Sequence, residues 1–238
     1  MRWLVGPGAT AAPAGVIVVP VLDEQAALPG LLDHLGELPG DWEVVVVDGG
    51  STDGTVAVAE AHPLRVTVLA DSGGRAAQLN AGAAGTDRGV LVFLHADTQL
   101  PHRASAVVGA AVRAGAEGGN FRLAFSGSDA FSRWLGRWYA VQRRAGVYYG
   151  DSAVWCTRQA FEALGGYREL PIMDDYDFVR RLESDHRTVC LPGPAVTSSR
   201  RWHQAGVLRT ALSWTVIRWA WLAGVPAERL AALYRAIR

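Results

Sequence analysis

The chain contains no lysine. All 23 of its basic residues are arginine, and 23 acids balance them to a formal net charge of zero. A neutral balance removes the bulk positive field of a nucleic-acid-binding domain, so no nucleic-acid partner is expected; an arginine cluster around a phosphate is untouched by that argument. Cysteine is scarce, with Cys156 and Cys190 the only two. That excludes a disulfide-dense secreted scaffold and the four-cysteine zinc patterns, and the pair reads as reduced, partly buried thiols of a cytoplasmic protein. No uninterrupted apolar run reaches the ~18 residues of a spanning helix. Met1–Gly15 lacks the apolar stretch of a signal peptide, and residues 1–14 read as a short, poorly ordered tail. A G-x-G-x-x-G turn is missing too: the first apolar run ends in Pro20-Val21-Leu22-Asp23-Glu24, which argues against an NAD or FAD domain.

What remains is the composition of a folded protein. Half of the 238 residues are hydrophobic and 19% are charged, and a chain of this length buries about 70–75% of its unfolded surface without staples. Gly15–Val21, Glu43–Asp48, Arg65–Leu69 and Val90–His95 are short β-branched runs bounded by Gly, Pro or Asp. Such runs read as strands buried on both faces. Helical segments are expected between them at Glu24–Leu35, Gly54–Ala61 and Arg75–Ala84, which makes βαβαβαβ and an α/β sheet flanked by helices. The second half reads as helices at Pro101–Ala114, Asp129–Arg144, Gln159–Leu164, Asp175–Ser184, Val207–Ala223 and Ala227–Arg238, with strands at Asn120–Phe125 and Thr188–Leu191. One domain over 15–238 is expected, with a nucleotide-type half to residue 100 and an acceptor-type half beyond it.

Ligands of open α/β sheets sit at the carboxyl ends of the strands, and acids fall there: Glu24, Asp48 and Asp97. Asp48 opens the turn Asp48-Gly49-Gly50-Ser51-Thr52-Asp53-Gly54-Thr55, where its carboxylate can accept from a uracil N–H or a ribose hydroxyl. A capped βα turn without a ligand has the same composition. Gly73-Gly74 leads into a helix whose first turn carries Arg75, a place that suits a diphosphate and equally a solvated arginine. Asp97 stands where a divalent ion would join carboxylate to phosphates, or simply caps the next helix. His95 is a second ligand or a packed strand-end residue.

In this order the motifs resemble family 2 glycosyltransferases of the GT-A fold: Pro20-x-x-x-Glu24, the Asp48–Thr55 turn, Gly74-Arg75…Asn80-Ala81-Gly82, and His95-Ala96-Asp97-Thr98. The likeness continues through Tyr149-Gly150-Asp151-Ser152, Gly165-Gly166-Tyr167, Met173-Asp174-Asp175-Tyr176-Asp177-Phe178 and Ser199-Arg200-Arg201-Trp202. The stretches GRAAQLNAGA and FLHADT resemble a bacterial subgroup of small single-domain transferases associated with radical-SAM and selenodomain genes. The resemblance implies a mostly parallel, Rossmann-like sheet with C-terminal helices. It also implies a nucleotide-sugar donor, expected to be UDP-linked, and Mg²⁺ or Mn²⁺ as cofactor. Pro20, Glu24 and Asp48 would line the nucleoside pocket with Asp53 supporting the turn, and Arg75 and Asn80 would lie near the diphosphate or sugar. Asp97 matches the last acid of the family's Asp-x-Asp metal motif. Asp175 matches the second acid of its Glu-Asp pair, the base of an inverting transfer. Asp151 belongs with the acceptor or closing segment, as do Arg200, Arg201 and Trp202; His203 is a late-histidine candidate for the metal.

Two positions depart from the pattern. His95 replaces the first metal-motif acid, leaving Asp97 as the one clear ligand, and Asp174 replaces the usual Glu. If the Asp174-Asp175 pair opens a helix, Asp175 is expected to point inward and Asp174 to cap the helix or touch acceptor. Two other functions stay open on the residues alone. A sugar-phosphate nucleotidylyltransferase would want a basic Gly-rich loop after the first strand, where this chain is acidic. A degenerate nucleotide-sugar-binding protein would tolerate the change at His95. The helix at 207–223 has Trp214, Trp219 and Trp221 interrupted by Arg209 and Arg218, a pattern that fits core packing, a membrane surface or a homodimer face. The acceptor is not named by any motif.

Overall fold

The computed structural model describes residues 14–127, 130–198 and 207–237. The tail 1–13 and the segment carrying Arg200, Arg201, Trp202 and His203 lie outside the described residues. The elements run β1 (Gly15–Val21), α1 (Leu28–Gly36), β2 (Trp42–Asp48), α2 (Thr55–Ala61), β3 (Thr67–Ala70), α3 (Arg75–Ala84), β4 (Val90–Phe93) and β5 (Thr98–Gln99). They continue with α4 (Ala104–Arg113), β6 (Gly118–Phe125), α5 (Ala130–Arg144), a 3₁₀ turn (Gly150–Ser152), β7 (Val154–Thr157), α6 (Arg158–Ala163) and α7 (Asp174–Asp185). The last are β8 (Thr188–Thr197), α8 (Val207–Leu222) and α9 (Ala227–Ile237).

The strands form one eight-stranded sheet in the order β3-β2-β1-β4-β7-β6-β8-β5. The first four pair in parallel, β7 runs antiparallel to both its neighbours, and β6 and β8 are parallel again. The α/β reading of the sequence is met, and both expected halves contribute to this sheet. The Val44–Val47 run explains the parallel core: each of these valines is at most 3% exposed, and full burial of such a side chain contributes roughly 1.5–3 kcal/mol. Alternate residues feed two layers. Ile17, Val19, Val44 and Val46 face α1 and α4, while Val16, Val18, Val45 and Val47 face α3 and α7. The α3 layer is close because of Gly82, where a Cβ would come within 2.3 Å of Val18 Cγ1.

The structure corrects several expected boundaries. The first helix begins at Leu28 rather than Glu24, with Pro29 in its first turn, where proline's missing N–H costs nothing. Upstream the chain turns at Asp23, which is left-handed (φ 53°). The amides of Glu24 and Gln25 are taken by Thr55 Oγ1 and Asp53 Oδ2. Strand β8 continues past Pro192 and Pro194 to Thr197 because a bulge opposite Phe121/Arg122 absorbs Pro192 and Gly193, and a proline in a bulge does not break a ladder; Pro194 resumes the register opposite Arg122. Strands β5 and β7 were not expected. Both are held by antiparallel partners distant in sequence, β5 by β8 and β7 by β4 and β6.

Candidate active site

The site gathers at the carboxyl ends of β1, β2 and β4. At β2, Asp48 accepts from the backbone N–H of Gly50 at 3.0 Å and of Ser51 at 3.1 and 3.2 Å, forming an Asx-type turn. The β1 end is sewn to it. Asp23 N donates to Ser51 Oγ at 2.9 Å and Thr52 N to Asp23 Oδ1 at 2.7 Å. Asp53 accepts from Thr55 N at 2.9 Å and from the Thr55 hydroxyl, which pulls its pKa below the ordinary carboxylate value. Pro20 and Glu24 lie beside this rim, both half-buried. Gln78, one turn into α3, was passed over in the sequence. Its amide donates to Val21 O at 2.9 Å and to Val47 O at 2.8 Å, joining the two strand ends from below. A buried polar residue in an alanine-rich helix was the signal.

Arg75, at the start of α3, does not point alone toward an open anion site. Its Nε donates to Asp174 Oδ2 at 2.9 Å and its Nη2 to Asp174 Oδ1, a bidentate fork. Nη2 also lies 3.5 Å from Asp175 Oδ1. Burial alone would lower the Arg75 pKa, but Asp175 and Asp174 outweigh it and drive it up. The expected division of the acid pair is therefore corrected. Asp174, its side chain 4% exposed, is the inner acid and is spent on Arg75 rather than on an acceptor. Asp175 is the more exposed of the two, at 14% of its side chain. Its Oδ2 accepts from Gly150 N at 2.9 Å and its Oδ1 from Tyr176 N at 2.8 Å. Asn80 has a structural role as well: its Nδ2 donates to Tyr167 O and its Oδ1 accepts from Tyr167 N, both at 2.9 Å. One donor and one acceptor position of its amide hold the Gly166-Tyr167 corner, which leaves a second N–H and a second lone pair.

The 3₁₀ turn brings the remaining groups together. Gly150 packs so closely that a Cβ there would stand 2.8 Å from His95 Nε2 and 3.3 Å from Asp175 Oδ2, so the end of β4 and the start of α7 meet at one residue. Asp151 follows it. Its Oδ1 is buried without a hydrogen-bond partner. Burial first, then the negative charges of Asp175 and Asp97, push its pKa up to about 7, against a smaller opposing effect of Arg75. Asp97 is steadied from behind: Thr98 Oγ1 donates to Thr197 Oγ1 at 3.0 Å, and Thr197 Oγ1 lies 3.5 Å from Asp97 Oδ1. Asp151 thus lies within the electrostatic reach of Asp175 and Asp97, and its neighbour Gly150 touches both Asp175 and His95. Among the described residues no three His, Cys, Asp or Glu side chains form a complete metal cage; Mg²⁺ commonly takes one or two carboxylates and leaves the rest to substrate phosphates and water. The non-glycine residues with left-handed backbone among those described are Asp23, Ala153 and Met173 (φ 53°, 51° and 66°). All three adjoin this site, where strained backbone is characteristically held.

An acid-lined rim at the ends of a parallel sheet, continued by a mixed second half, gives the chain the GT-A fold of glycosyltransferases. A mannosyltransferase from Pyrobaculum calidifontis, PcManGT, solved with GDP-Man and Mn²⁺, superposes with a TM-score of 0.63 over 91% of this chain and 68% of its own, at 24% identity. S. aureus TarS 1–349, solved with UDP-GlcNAc, gives 0.62 over 77% and 58%, at 14% identity. Residues 16–161, more than half of the chain, match Glycosyl transferase family 2, and the chain belongs to that family. A 50-residue stretch is 48% identical to the PGL/p-HBAD biosynthesis glycosyltransferase of Mycobacterium tuberculosis and Mycobacterium bovis. That stretch is 21% of this chain and spans only 20% of those relatives' length.

Proposed function

We propose that the chain is an inverting, metal-dependent glycosyltransferase that moves a sugar from a nucleoside-diphosphate sugar, UDP-linked by preference, to an acceptor hydroxyl. The observation that carries this reading is the meeting of the 3₁₀ turn with the acid pair and the end of β4: Gly150 N donates to Asp175 Oδ2 at 2.9 Å, a Cβ at Gly150 would stand 2.8 Å from His95 Nε2, and Asp151 follows with a buried oxygen that has no hydrogen-bond partner. The donor class is supported by GDP-Man and UDP-GlcNAc in the two structural neighbours. Preference for uracil rests on Asp48. Its two oxygens accept only short turn amides, which leaves lone-pair capacity for a base N–H. The likeness of GRAAQLNAGA and FLHADT supports the subgroup of small bacterial transferases.

A divalent ion fits the residues present. Asp151 brings a buried oxygen without a hydrogen-bond partner, and a buried unpaired acid is costly until a cation or a proton satisfies it. Asp97 would hold the ion, and Asp151 would be the second carboxylate in place of the acid that His95 replaces. Bound there, Mg²⁺ or Mn²⁺ would neutralise charge developing on the leaving diphosphate. The chain's own residues do the rest. Asp175 Oδ2, fixed by the Gly150 amide, accepts the proton of the acceptor hydroxyl as that oxygen attacks the anomeric carbon, a service of roughly 10²–10⁴-fold. Arg75 and Asp174 hold Asp175 in position from the inner side.

The test is donor turnover with UDP-, GDP- and dTDP-sugars in the presence and absence of Mn²⁺. Hydrolysis or transfer from a UDP-sugar that stops on chelation is the expected result. No turnover of any donor, with nucleotide binding unaffected by metal, would overturn the reading.

A further inference from the structure

Apart from Leu22 and Leu233, every large apolar side chain left exposed among the described residues belongs to α5 or α8. On α5 these are Trp134 (51%), Trp138 (48%) and Val141 (56%), spaced i, i+4, i+7 on one face. The two indoles are stacked with ring centroids 6.1 Å apart. On α8 they are Val216 (52%), Trp219 (62%) and Leu222 (47%). The opposite sides of both helices are already used. Leu135 of α5 packs on Leu123 and Phe125, and Ile217, Trp214 and Trp221 of α8 pack around Met173 and Tyr176. A helix apolar on both faces has a second apolar partner to meet.

The two stripes are neighbours. Arg218 Nη1 donates to Gln142 Oε1 at 2.6 Å, which joins the residue beside Trp219 to the residue beside Val141. Charge identifies the partner. Residues 130–150 contain Arg133, Arg137, Arg143 and Arg144, residues 207–227 contain Arg209 and Arg218, and neither stretch has an Asp or Glu, in a chain whose net charge is zero. Arg133, Arg137 and Arg144 are exposed alongside the tryptophans. A second copy of this surface would bring arginine against arginine, which is unfavourable. Indoles with arginines suit the headgroup zone of a negatively charged bilayer, where the ring lies at the apolar boundary and guanidinium meets lipid phosphate. No helix among the described residues is long and apolar enough to cross a membrane, so the contact would lie in the surface plane.

We propose that the acid-free face of α5 and α8 docks on an anionic lipid bilayer. The inference does not rest on the transferase reading, and its readout needs no substrate. The full chain is mixed with phosphatidylcholine vesicles, with and without phosphatidylglycerol, at low and high salt, and vesicle-bound protein is measured by flotation. Partition onto the phosphatidylglycerol vesicles, weakened by salt, is expected. The double variant Trp138→Ser/Trp219→Ser, and separately Arg137→Gln/Arg144→Gln, should each lower partition by roughly ten-fold or more, with the unfolding midpoint unchanged because these side chains are exposed. Absence of partition overturns the proposal, as does equal partition onto phosphatidylcholine alone or undiminished binding of folded variants. A dimer in sedimentation equilibrium that Trp138→Ser/Trp219→Ser dissociates would also overturn it, assigning the face to a second copy.

Discussion

Arg75 and Asp174, 99 positions apart, close a bidentate ion pair at the floor of the site. It ties the first turn of α3 to the first turn of α7. Asp174 is buried while the Arg75 side chain is 39% exposed, so solvent screening reduces the cost of removing one partner below that of a fully buried pair. Arg75→Met should lower the free energy of unfolding by about 1–3 kcal/mol in urea titrations. Adding Asp174→Leu to it should restore a large part. Additive losses in the double variant would mean that the two side chains do not act as a unit. Arg75→Lys should behave closer to Met than to Arg, because an ammonium cannot reproduce the fork.

Asp175→Asn should leave nucleotide binding within a few-fold of wild type and reduce transfer by roughly 10²–10⁴-fold, the contribution of a positioned base. Calorimetric binding and steady-state turnover on the same preparation check it. Turnover close to wild type would remove Asp175 from that role.

Asp151 makes stability depend on pH in an unusual direction for an acid. Its pKa in the folded chain, about 7, lies above the ordinary 3.8, so the folded state keeps a proton that the unfolded chain has already released. Its contribution is intact below about pH 4, falls as pH rises through about 7, and is flat above that. The full span is up to about 4 kcal/mol. Asp151→Asn should abolish this slope and raise the thermal midpoint at pH 8 by several degrees. Mn²⁺ should stabilise wild type at that pH and stabilise the Asn variant much less.

Asn80→Ala separates a structural role from donor contact. Loss of both bonds to the Tyr167 backbone should cost about 1–3 kcal/mol of stability without a change in the donor KM of the folded enzyme. A large rise in KM at unchanged stability would return Asn80 to the donor.

Gly150→Ala tests the closeness of the 3₁₀ turn to the acids. The methyl group would press on His95 Nε2 and Asp175 Oδ2, and a displacement of about 1 Å in a reacting group can cost roughly 10²-fold in rate. A fall in turnover with a preserved far-ultraviolet spectrum is expected.

The sequence by itself determined the α/β architecture. Continuous valine runs between helical spacings admit little besides a sheet buried on both faces, and Arg75–Ala84 was legible to the residue. It also determined which acids stand at strand ends, since Asp48 and Asp97 follow directly from where β2 and β4 stop. Tertiary structure alone decided what those acids do. Whether Arg75 meets a phosphate or Asp174, which member of the Asp174-Asp175 pair faces inward, and whether Asn80 serves a ligand or Tyr167 all depend on partners dozens of positions away. The same holds for Asp151, whose raised pKa arises from burial and from charges 54 and 24 residues distant in sequence. Local periodicity is a property of neighbours along the chain and survives in the sequence. A field, a fork or an orphaned oxygen belongs to the space between elements, and exists only once the sheet has brought them together.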